Sequence, residues 1–465
     1  MSAEHATIRQ KIVSNPPEIA GIQDDWWTGI SPLIWDSKGT YLKDRNGKEY
    51  LDLNGFFSTA VVRFDHPDLR SKAFTDKLLK SSFYRPSLSD FWTGEMAEFI
   101  AAFREIAVPP YMHHLFFIEG GSLAVENALK AAFDWKVRLN MKKGIIKSDP
   151  VNDKRPLGTK VIYFKNAFHG RSGYTLSLTN TADPRKTKYF PKFDWFAVDP
   201  PVFSFNCEGE ISNIDEANEQ LQKSVNEIKN IIRDNPHDIA AIIIEPIQAE
   251  GGDRHIPMEF FIELRKIADE NEIILIYDEV QTGMGATGKM WCHEHFGEEA
   301  RPDVVAFCKK AQIGGIMANY QKFSIIPDNV FLSSDESLSR LNSTWGGNPV
   351  DMVRSTALLG IMKKESLLDN ARDVGTYFRT GLHSLCKEFS DLIENPRGKG
   401  MMLAFDAKVP QHQGEIFKAF LKQDLLSITC GKRSIRFRPH LDLQQSDVDE
   451  AIVRMRKALA GFSVN

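Results

Sequence analysis

Side chains that could do chemistry stand directly behind short apolar runs of this sequence. Asp278 follows the run ILIY, the pair Lys309 and Lys310 follows VVAFC, and a Gly-Gly-Ser at 120–122 follows LFFIE. Pyridoxal phosphate needs a lysine for its Schiff base and an acid that keeps its ring nitrogen protonated. It also needs a phosphate cradle, which glycines at the start of a helix supply because free amides and the helix dipole favour an anion. These residue types therefore predict a site for pyridoxal 5'-phosphate.

The elements that must position these side chains are predicted to form a parallel sheet. Between about residues 110 and 310, helix-like segments separate five apolar runs: HHLFFI, KVIYF, IAAIIIE, EIILIYD and DVVAF. Their near-continuous apolar character is typical of strands covered on both faces, and the alternation with helices favours a mainly parallel α/β sheet. Because ligands bind beyond the carboxyl ends of such strands, we expect the polar side chains there to meet at one edge.

The last hundred or so residues have a different pattern. In SIRFRP, Ile435 and Phe437 alternate with Arg436 and Arg438, which predicts an antiparallel strand buried on one face. We therefore expect a second, smaller α+β domain, made by residues 345–465 together with an N-terminal segment, residues 1–70. Residues 71–344 would form the large cofactor-binding domain.

Composition excludes several classes of function. The net charge is −4 with 26% charged residues, so charge gives no reason to expect nucleic acid or an anionic membrane as a partner. No stretch has the apolar length needed to cross a bilayer, and the first residues lack the apolar core of a signal peptide. Five scattered cysteines argue against a disulfide framework or a structural zinc site and favour a reducing cytoplasm. His293 and His295 lack HExxH spacing, so we expect no metal site.

One glycine pattern offers an alternative function. Gly283, Gly285 and Gly288 spell GxGxxG, the dinucleotide-binding spacing, which would make the chain a nicotinamide-dependent oxidoreductase. Five residues separate the first glycine from the strand, and Asp303, at the distance of the expected ribose-binding acid, precedes its strand instead of ending it. A glycine-rich turn that lets the chain leave the site explains the motif better.

Seven motifs in order carry a family resemblance: GGSLAVENALK, NAFHGR, EPIQAEGG, DEVQTGMGATG, PDVVAFCKK, STWGGN and SIRFRP. Together they resemble the class III, fold type I, pyridoxal-phosphate aminotransferases, and the resemblance covers most of the chain. The segments AFHGRSGYTLSLTNT, EGGDRHIP and RLNSTWGGN are most similar to members that act on the ε-amine of lysine. SIRFRP and the double lysine are shared with members that act on 4-aminobutyrate, many of which carry cysteines before the phosphate-binding helix that are absent here.

The resemblance assigns cofactor-binding roles by position. Lys309 matches the Schiff-base lysine, six residues after Asp303, and is favoured over Lys310, which would point the other way from an extended chain. Asp278 would pair with the ring nitrogen. Gly121 and Ser122 would bind the phosphate of the cofactor. Phe168 and Val280 would pack on opposite faces of its ring, and Gln281 would hydrogen-bond near its phenolic oxygen. Thr344 would reach the phosphate of the neighbouring subunit, which implies a homodimer with shared active sites.

The resemblance also implies how substrates are held. Arg171 would grip the carboxylate remote from the reacting amine, and Arg436 would grip the α-carboxylate of glutamate. An amine donor has no carboxylate beside the amine, so Glu250 would neutralise Arg436 and swing away for glutamate. Asn342 and Ser343 could contact the donor's α-amino group.

The implied reaction moves the ε-amino group of L-lysine to 2-oxoglutarate, giving 2-aminoadipate 6-semialdehyde and glutamate. Two nearer alternatives stay open besides the oxidoreductase. The chain could be another ω-aminotransferase acting on 4-aminobutyrate or ornithine, or a fold type I enzyme with different chemistry, such as a mutase or a decarboxylase.

Overall fold

A seven-stranded sheet forms the centre of the molecule. The structure, a computed structural model, describes residue 30 and residues 32–331 and 340–462. The strand order is β3-β11-β10-β9-β6-β4-β5, with β11 antiparallel to both of its neighbours and the pairs β10/β9, β9/β6, β6/β4 and β4/β5 parallel. The strands are β3 (Met112–Ile118), β4 (Lys160–Phe164), β5 (Phe196–Val198), β6 (Ile239–Ile244), β9 (Ile274–Asp278), β10 (Val304–Phe307) and β11 (Gly314–Asn319).

The five predicted strands are all present, and most are covered on both faces. Every residue of β6, β9 and β10 is buried. Alternate residues face two apolar clusters: Ile243 and Ile276 pack with one, Ile242 and Leu275 with the other. The prediction of two-sided cover fails at the start of β3, where His113 is exposed, but it holds at the end of the strand, where Phe117 and Ile118 are buried in different clusters. Strands β5 and β11 were not predicted.

Helices cover the sheet. In α5, Val125 and Leu129 are buried at the predicted spacing, whereas Phe133 is only partly buried. In α7, Leu221, Val225 and Ile228 face the other cluster. The helices are α1 (Gly55–Ser58), α2 (Pro67–Arg70), α3 (Lys72–Ser82), α4 (Gly94–Ile106), α5 (Gly121–Lys142), α6 (Gly173–Leu178), α7 (Ile214–Asp234), α8 (Met258–Glu270), α9 (Tyr320–Phe323), α10 (Pro349–Lys364), α11 (Leu367–Glu388), α12 (Gln413–Lys422) and α13 (Gln445–Ala460).

Smaller sheets lie outside the central one. Four strands form an antiparallel sheet in the order β12-β13-β16-β15, and the N-terminal strands β1 and β2 share a sheet with β14. The predicted one-face burial of β16 is wrong. All four of its residues are buried, and so is Arg438 after it, because the arginine face is covered by acidic partners from the chain near residue 250. The remaining strands are β1 (Tyr41–Lys43), β2 (Glu49–Asp52), β7 (Ile247–Gln248), β8 (Arg254–His255), β12 (Ile393–Lys399), β13 (Met402–Ala407), β14 (Leu425–Leu426), β15 (Ile428–Cys430) and β16 (Ser434–Phe437).

Two cysteines form a bond that the sequence pattern did not predict. Cys207, in the loop before α7, is disulfide-bonded to Cys386 in α11, with Cα atoms 5.4 Å apart. The expectation that the scattered cysteines stay unpaired is therefore wrong for this pair. The other three cysteines are free. No helix among the described residues is long and apolar enough to cross a membrane.

Candidate active site

The predicted lysine lies in a strained turn behind β10. Lys309 has φ 46° and begins a 3₁₀ turn, Lys309–Ala311, and its Nζ donates to the Phe57 carbonyl at 3.1 Å. A side chain held in left-handed backbone carries strain of the kind that collects at functional sites. Burial, reinforced by repulsion from nearby Arg436 and Arg438, lowers the pKa of Lys309 to about 8. A lysine of this kind is partly neutral near physiological pH and can act as a base.

The prediction for Lys310 assumed that the chain is extended at residues 309 and 310. This assumption is wrong, because the backbone forms a turn there. Lys310 is fully buried and donates to the Ala60 carbonyl, three residues from the carbonyl that Lys309 contacts. Burial lowers the pKa of Lys310 to about 7. Both lysines contact a backbone carbonyl, but they differ in burial: Lys310 is 3% exposed, whereas Lys309 is only partly buried.

Asp278 ends β9 and is fixed by two donors. Its Oδ2 lies 2.7 Å from Nδ1 of His169, and its Oδ1 accepts from the Val280 amide at 3.0 Å. His169 is buried, and its own amide donates to the Thr179 hydroxyl at 3.0 Å. Sequence reasoning gave His169 no role, although it stands beside Phe168 in the segment that follows the apolar run KVIYF. The two contacts fix the orientation of the Asp278 carboxylate.

A second residue that was not predicted is Glu245, at the end of β6. Its two carboxylate oxygens accept from the amides of Phe168 at 2.9 Å and Ala249 at 3.1 Å. Burial raises the pKa of Glu245 to about 7. The carboxyl group therefore ties the loop that carries Phe168 to the loop that leads to Glu250. The signal in the sequence was its place at a strand end, but its contacts are to backbone and leave no pattern.

The start of α5 meets the loop behind β9. A Cβ on Gly121 would lie 2.8 Å from Val280 Cγ1, so any larger residue at this position would collide with the Val280 side chain. Gly170 has φ 127°, and a Cβ on it would lie 2.2 Å from Ser122 Oγ. The first amides of a helix have no intrahelical acceptors, so this junction is a cradle for an anion.

The two arginines of SIRFRP enter the site from β16. Arg436 Nη2 lies 2.6 Å from Glu250 Oε2, and its Nη1 lies 3.3 Å from Gln281 Oε1. Arg438 donates to the same Gln281 oxygen at 3.0 Å and is ion-paired with Asp253, so it is the structural partner of the two. Both guanidinium groups donate to the amide oxygen of Gln281, so the amide nitrogen of Gln281 remains available as a donor.

Glu250 bridges two cations. Its other oxygen, Oε1, is ion-paired with Lys186, a residue that sequence reasoning did not identify. Burial raises the pKa of the Glu250 carboxyl, but Arg436 and Lys186 outweigh burial and bring the pKa below its ordinary value. The carboxylate is therefore ionised at neutral pH. Arg436 is almost completely buried, and its Nε has no hydrogen-bond partner among the described residues.

Arg171 and Lys186 flank Phe168. The Arg171 guanidinium carbon lies 5.8 Å and Lys186 Nζ lies 5.5 Å from the centroid of the phenyl ring. Arg171 is exposed and makes no ion pair with any described residue. An unpaired cation beside the predicted ring-stacking residue is available for a substrate carboxylate.

Two predicted residues are not joined to this cluster within one chain. Asn342 and Thr344 are exposed, and across residues 30, 32–331 and 340–462 no hydrogen bond or ion pair links them to the other predicted site residues. Their loop is held through the Ser343 carbonyl, which accepts from the Ser89 hydroxyl at 2.7 Å.

The glycine-rich segment behind β9 is a turn region. Gly285 and Gly288 have φ 84° and 81°, and no helix begins between Gly283 and Gly288. A Cβ on Gly283 would lie 2.5 Å from the Trp291 ring. The glycines allow close packing in this turn region. The dinucleotide-binding alternative requires a helix that begins within the glycine motif, and no helix begins there.

The assembled residues fit pyridoxal phosphate. A lysine with a lowered pKa, an Asp–His pair and a glycine-rich helix start lie beyond the carboxyl ends of strands of the central sheet. The fold and this site define an aminotransferase of fold type I. A model of the family "Aminotransferase class-III" matches residues 27–459, and the chain belongs to this family. The family also agrees with pyridoxal 5'-phosphate as the cofactor.

Known proteins with similar sequences and structures are aminotransferases. The chain is 41% identical to an L-lysine-epsilon aminotransferase of Mycobacterium tuberculosis over 91% of this chain and 90% of the relative. It is 32% identical to a 4-aminobutyrate aminotransferase of Dictyostelium discoideum over 91% of this chain and 84% of the relative. A solved lysine aminotransferase from M. tuberculosis in the internal aldimine form superimposes with a TM-score of 0.86 at 39% identity, covering 93% of this chain and 95% of the other.

Proposed function

We propose that the protein is an L-lysine 6-aminotransferase that uses 2-oxoglutarate as the amino acceptor. The observation that carries this proposal is the buried pair of Arg436 and Glu250. A donor that reacts through a terminal amine has no carboxylate beside the amine, so the arginine needs a protein carboxylate to neutralise it. An acceptor with an α-carboxylate can use the arginine once Glu250 releases it. The similarity to lysine aminotransferases at 41% identity supports lysine as the donor.

The chain's own residues supply binding, orientation and proton transfer. Arg171 would hold the carboxylate of lysine, which lies at the far end of the substrate from the ε-amine. Lys309 Nζ would take the proton from the substrate carbon that bears the amine, helped by its pKa of about 8. Asp278, held by His169, would keep the proton on the cofactor's ring nitrogen. Pyridoxal phosphate supplies the electron sink and carries the amino group between the two substrates.

The assembly that we propose is a homodimer. Its proposed cytoplasmic location is supported by the three free cysteines and not by the Cys207–Cys386 pair, which is bonded. Large aromatic side chains are exposed at Phe83, Tyr84, Phe91, Trp92 and Trp345. Aromatic side chains are enriched at protein interfaces. Thr344 lies one residue from Trp345, so a dimer would bring it to the partner's site in the way the family resemblance implies. A monomer of 52.7 kDa in light scattering would contradict this part of the proposal.

A substrate test decides the donor. Purified holoenzyme is mixed with L-lysine, 4-aminobutyrate or L-ornithine singly, without a keto acid, and its visible spectrum is recorded. We expect lysine alone to change the cofactor absorbance, and addition of 2-oxoglutarate to restore it with formation of glutamate. A response to 4-aminobutyrate but not to lysine would favour the second candidate, a 4-aminobutyrate aminotransferase, for which the relative at 32% identity is the supporting observation.

The role of Lys309 has its own control. We expect Lys309→Ala to lose turnover and the covalent attachment of the cofactor, whereas Lys310→Ala, which removes the bond to the Ala60 carbonyl, should keep the covalent attachment. Borohydride reduction followed by peptide mass analysis locates the modified lysine. If Lys309→Ala keeps both attachment and turnover, the assignment is wrong.

A further inference from the structure

The loop after α6 brings a lysine to the carboxylate that neutralises Arg436. A 3₁₀ turn, Pro184–Lys186, is capped by Asp183, whose Oδ1 accepts from the Arg185 amide at 3.1 Å. The Thr187 amide donates to the Pro184 carbonyl at 3.2 Å and closes the turn. The side chain of Lys186 leaves this turn toward the site, where it is only 14% exposed. The local sequence DPRKT therefore positions one cation at the site and leaves Arg185 in solvent.

Glu250 uses one oxygen for each of its cations. Oε2 lies 2.6 Å from Arg436 Nη2, and Oε1 is bonded to Lys186 Nζ. Because each cation contacts a different oxygen, loss of the contact with Arg436 does not by itself remove the contact with Lys186. The side chain of Glu250 is 25% exposed, whereas that of Arg436 is 1% exposed. Glu250 is therefore the member of the pair with room to move.

We propose that Lys186 is a positioning residue that keeps Glu250 neutralised while Arg436 binds the α-carboxylate of 2-oxoglutarate or glutamate. This inference rests on the proposed function, because it assigns the second half-reaction to the same site. Lys186 is the partner that Glu250 retains when an incoming carboxylate takes its place on Arg436.

The expected effect of removing Lys186 is asymmetric. With an amine donor bound, Glu250 still has Arg436 and remains paired. With a dicarboxylate bound, Arg436 is taken, and Glu250 would be a largely buried carboxylate beside a second carboxylate, with no cation of its own. An unpaired buried charge is costly, so the variant should disfavour the dicarboxylate state far more than the donor state.

The test compares binding with two separate half-reactions in the holoenzyme. The binding probe is glutarate, a dicarboxylate of the same length as 2-oxoglutarate that cannot react, and its affinity is measured by calorimetry. We expect Lys186→Met to weaken glutarate binding about tenfold and to slow the reaction with 2-oxoglutarate by a similar factor. The reaction with lysine alone should change by less than about threefold.

Two variants control for loss of structure. Lys188→Met removes an exposed lysine two residues away, whose ammonium lies 4.5 Å from the centroid of the Tyr189 ring, and it should change none of the three measurements. Lys186→Arg keeps a cation and should restore glutarate binding.

The proposal is overturned if Lys186→Met affects both half-reactions equally, if it affects neither, or if Lys186→Arg fails to restore binding. Failure of the wild type to react with lysine or 2-oxoglutarate would instead refute the proposed function. In that case calorimetry with glutarate still reports whether Lys186 supports carboxylate binding.

Discussion

Glu250→Gln is the perturbation that most directly tests how the site serves two kinds of substrate. The carboxyl group is ionised at neutral pH because Arg436 and Lys186 lower its pKa. Glutamine therefore removes a charge while keeping the shape of the side chain and one oxygen that can still accept from Arg436. What is lost is the neutralisation of a guanidinium that is only 1% exposed.

The size of the expected loss follows from the charged hydrogen bond between Arg436 and Glu250. A hydrogen bond between charged groups contributes about 1.5–3 kcal/mol. The loss should fall on the reaction with lysine, whose amine end leaves Arg436 without a substrate carboxylate. It corresponds to a decrease of roughly 10- to 150-fold in kcat/KM for lysine. The reaction with 2-oxoglutarate should be unchanged or faster, because the substrate carboxylate no longer displaces a charged competitor from Arg436.

Stopped-flow absorbance of the cofactor measures each half-reaction by itself. Enzyme in the amino-acceptor form is mixed with lysine, and enzyme in the amino-donor form is mixed with 2-oxoglutarate. An unchanged rate with lysine would refute the reasoning, because Arg436 would then need no counter-charge. Equal losses in both reactions would refute it as well, since they would indicate a general disturbance of the site.

Three further predictions address the other charged groups of the site. Arg171→Met should raise KM for lysine about tenfold and leave cofactor absorbance intact, and unchanged saturation by lysine would exclude Arg171 as a carboxylate ligand. For Glu245, the pKa of about 7 in the folded protein lies above its ordinary 4.5, so ionisation reduces the free energy of unfolding as the pH rises from about 4.5 to about 7. Glu245→Gln should abolish this fall, at most about 3 kcal/mol, in urea titrations across that range, and parallel pH profiles of variant and wild type would contradict it. Arg438→Met should lower the free energy of unfolding by about 3–5 kcal/mol because it leaves Asp253 buried and unpaired. The double variant with Asp253→Asn should recover part of that loss in the same titrations, and full additivity of the two single losses would argue against the pair.

The positions of Asp278 and Lys309 at strand ends could be predicted because burial leaves a readable pattern. Strands covered on both faces must be apolar throughout, so the first polar residue after each run marks the edge of the sheet. β6, β9 and β10 appear where these runs predicted them. The sheet order brings their ends together, as the rule for parallel sheets requires.

Contacts across long sequence separations could not be predicted where the family resemblance did not imply them. His169 meets Asp278 across 109 residues, and Lys186 meets Glu250 across 64. Neither contact has a spacing that identifies it, because each depends on how a loop crosses the sheet edge. The same holds for the disulfide, whose cysteines are 179 residues apart.

The backbone conformation at Lys309 and Lys310 could not be predicted from the sequence either. The prediction for Lys310 assumed an extended chain, whereas the backbone of Lys309 adopts φ 46°. Left-handed backbone at a lysine is unfavourable by itself and persists only when surrounding contacts enforce it.

The sequence by itself determined the alternation of strands and helices, the strand-end residues and the motifs that resemble class-III aminotransferases. These follow from side-chain hydrophobicity and spacing, which are local properties. The family resemblance already implied that Glu250 neutralises Arg436, whereas the tertiary structure alone decided that Asp253 neutralises Arg438 and that Lys186 neutralises Glu250. The reason is that a buried charge is stable only beside its counter-charge, and the counter-charges of this site come from other segments of the chain.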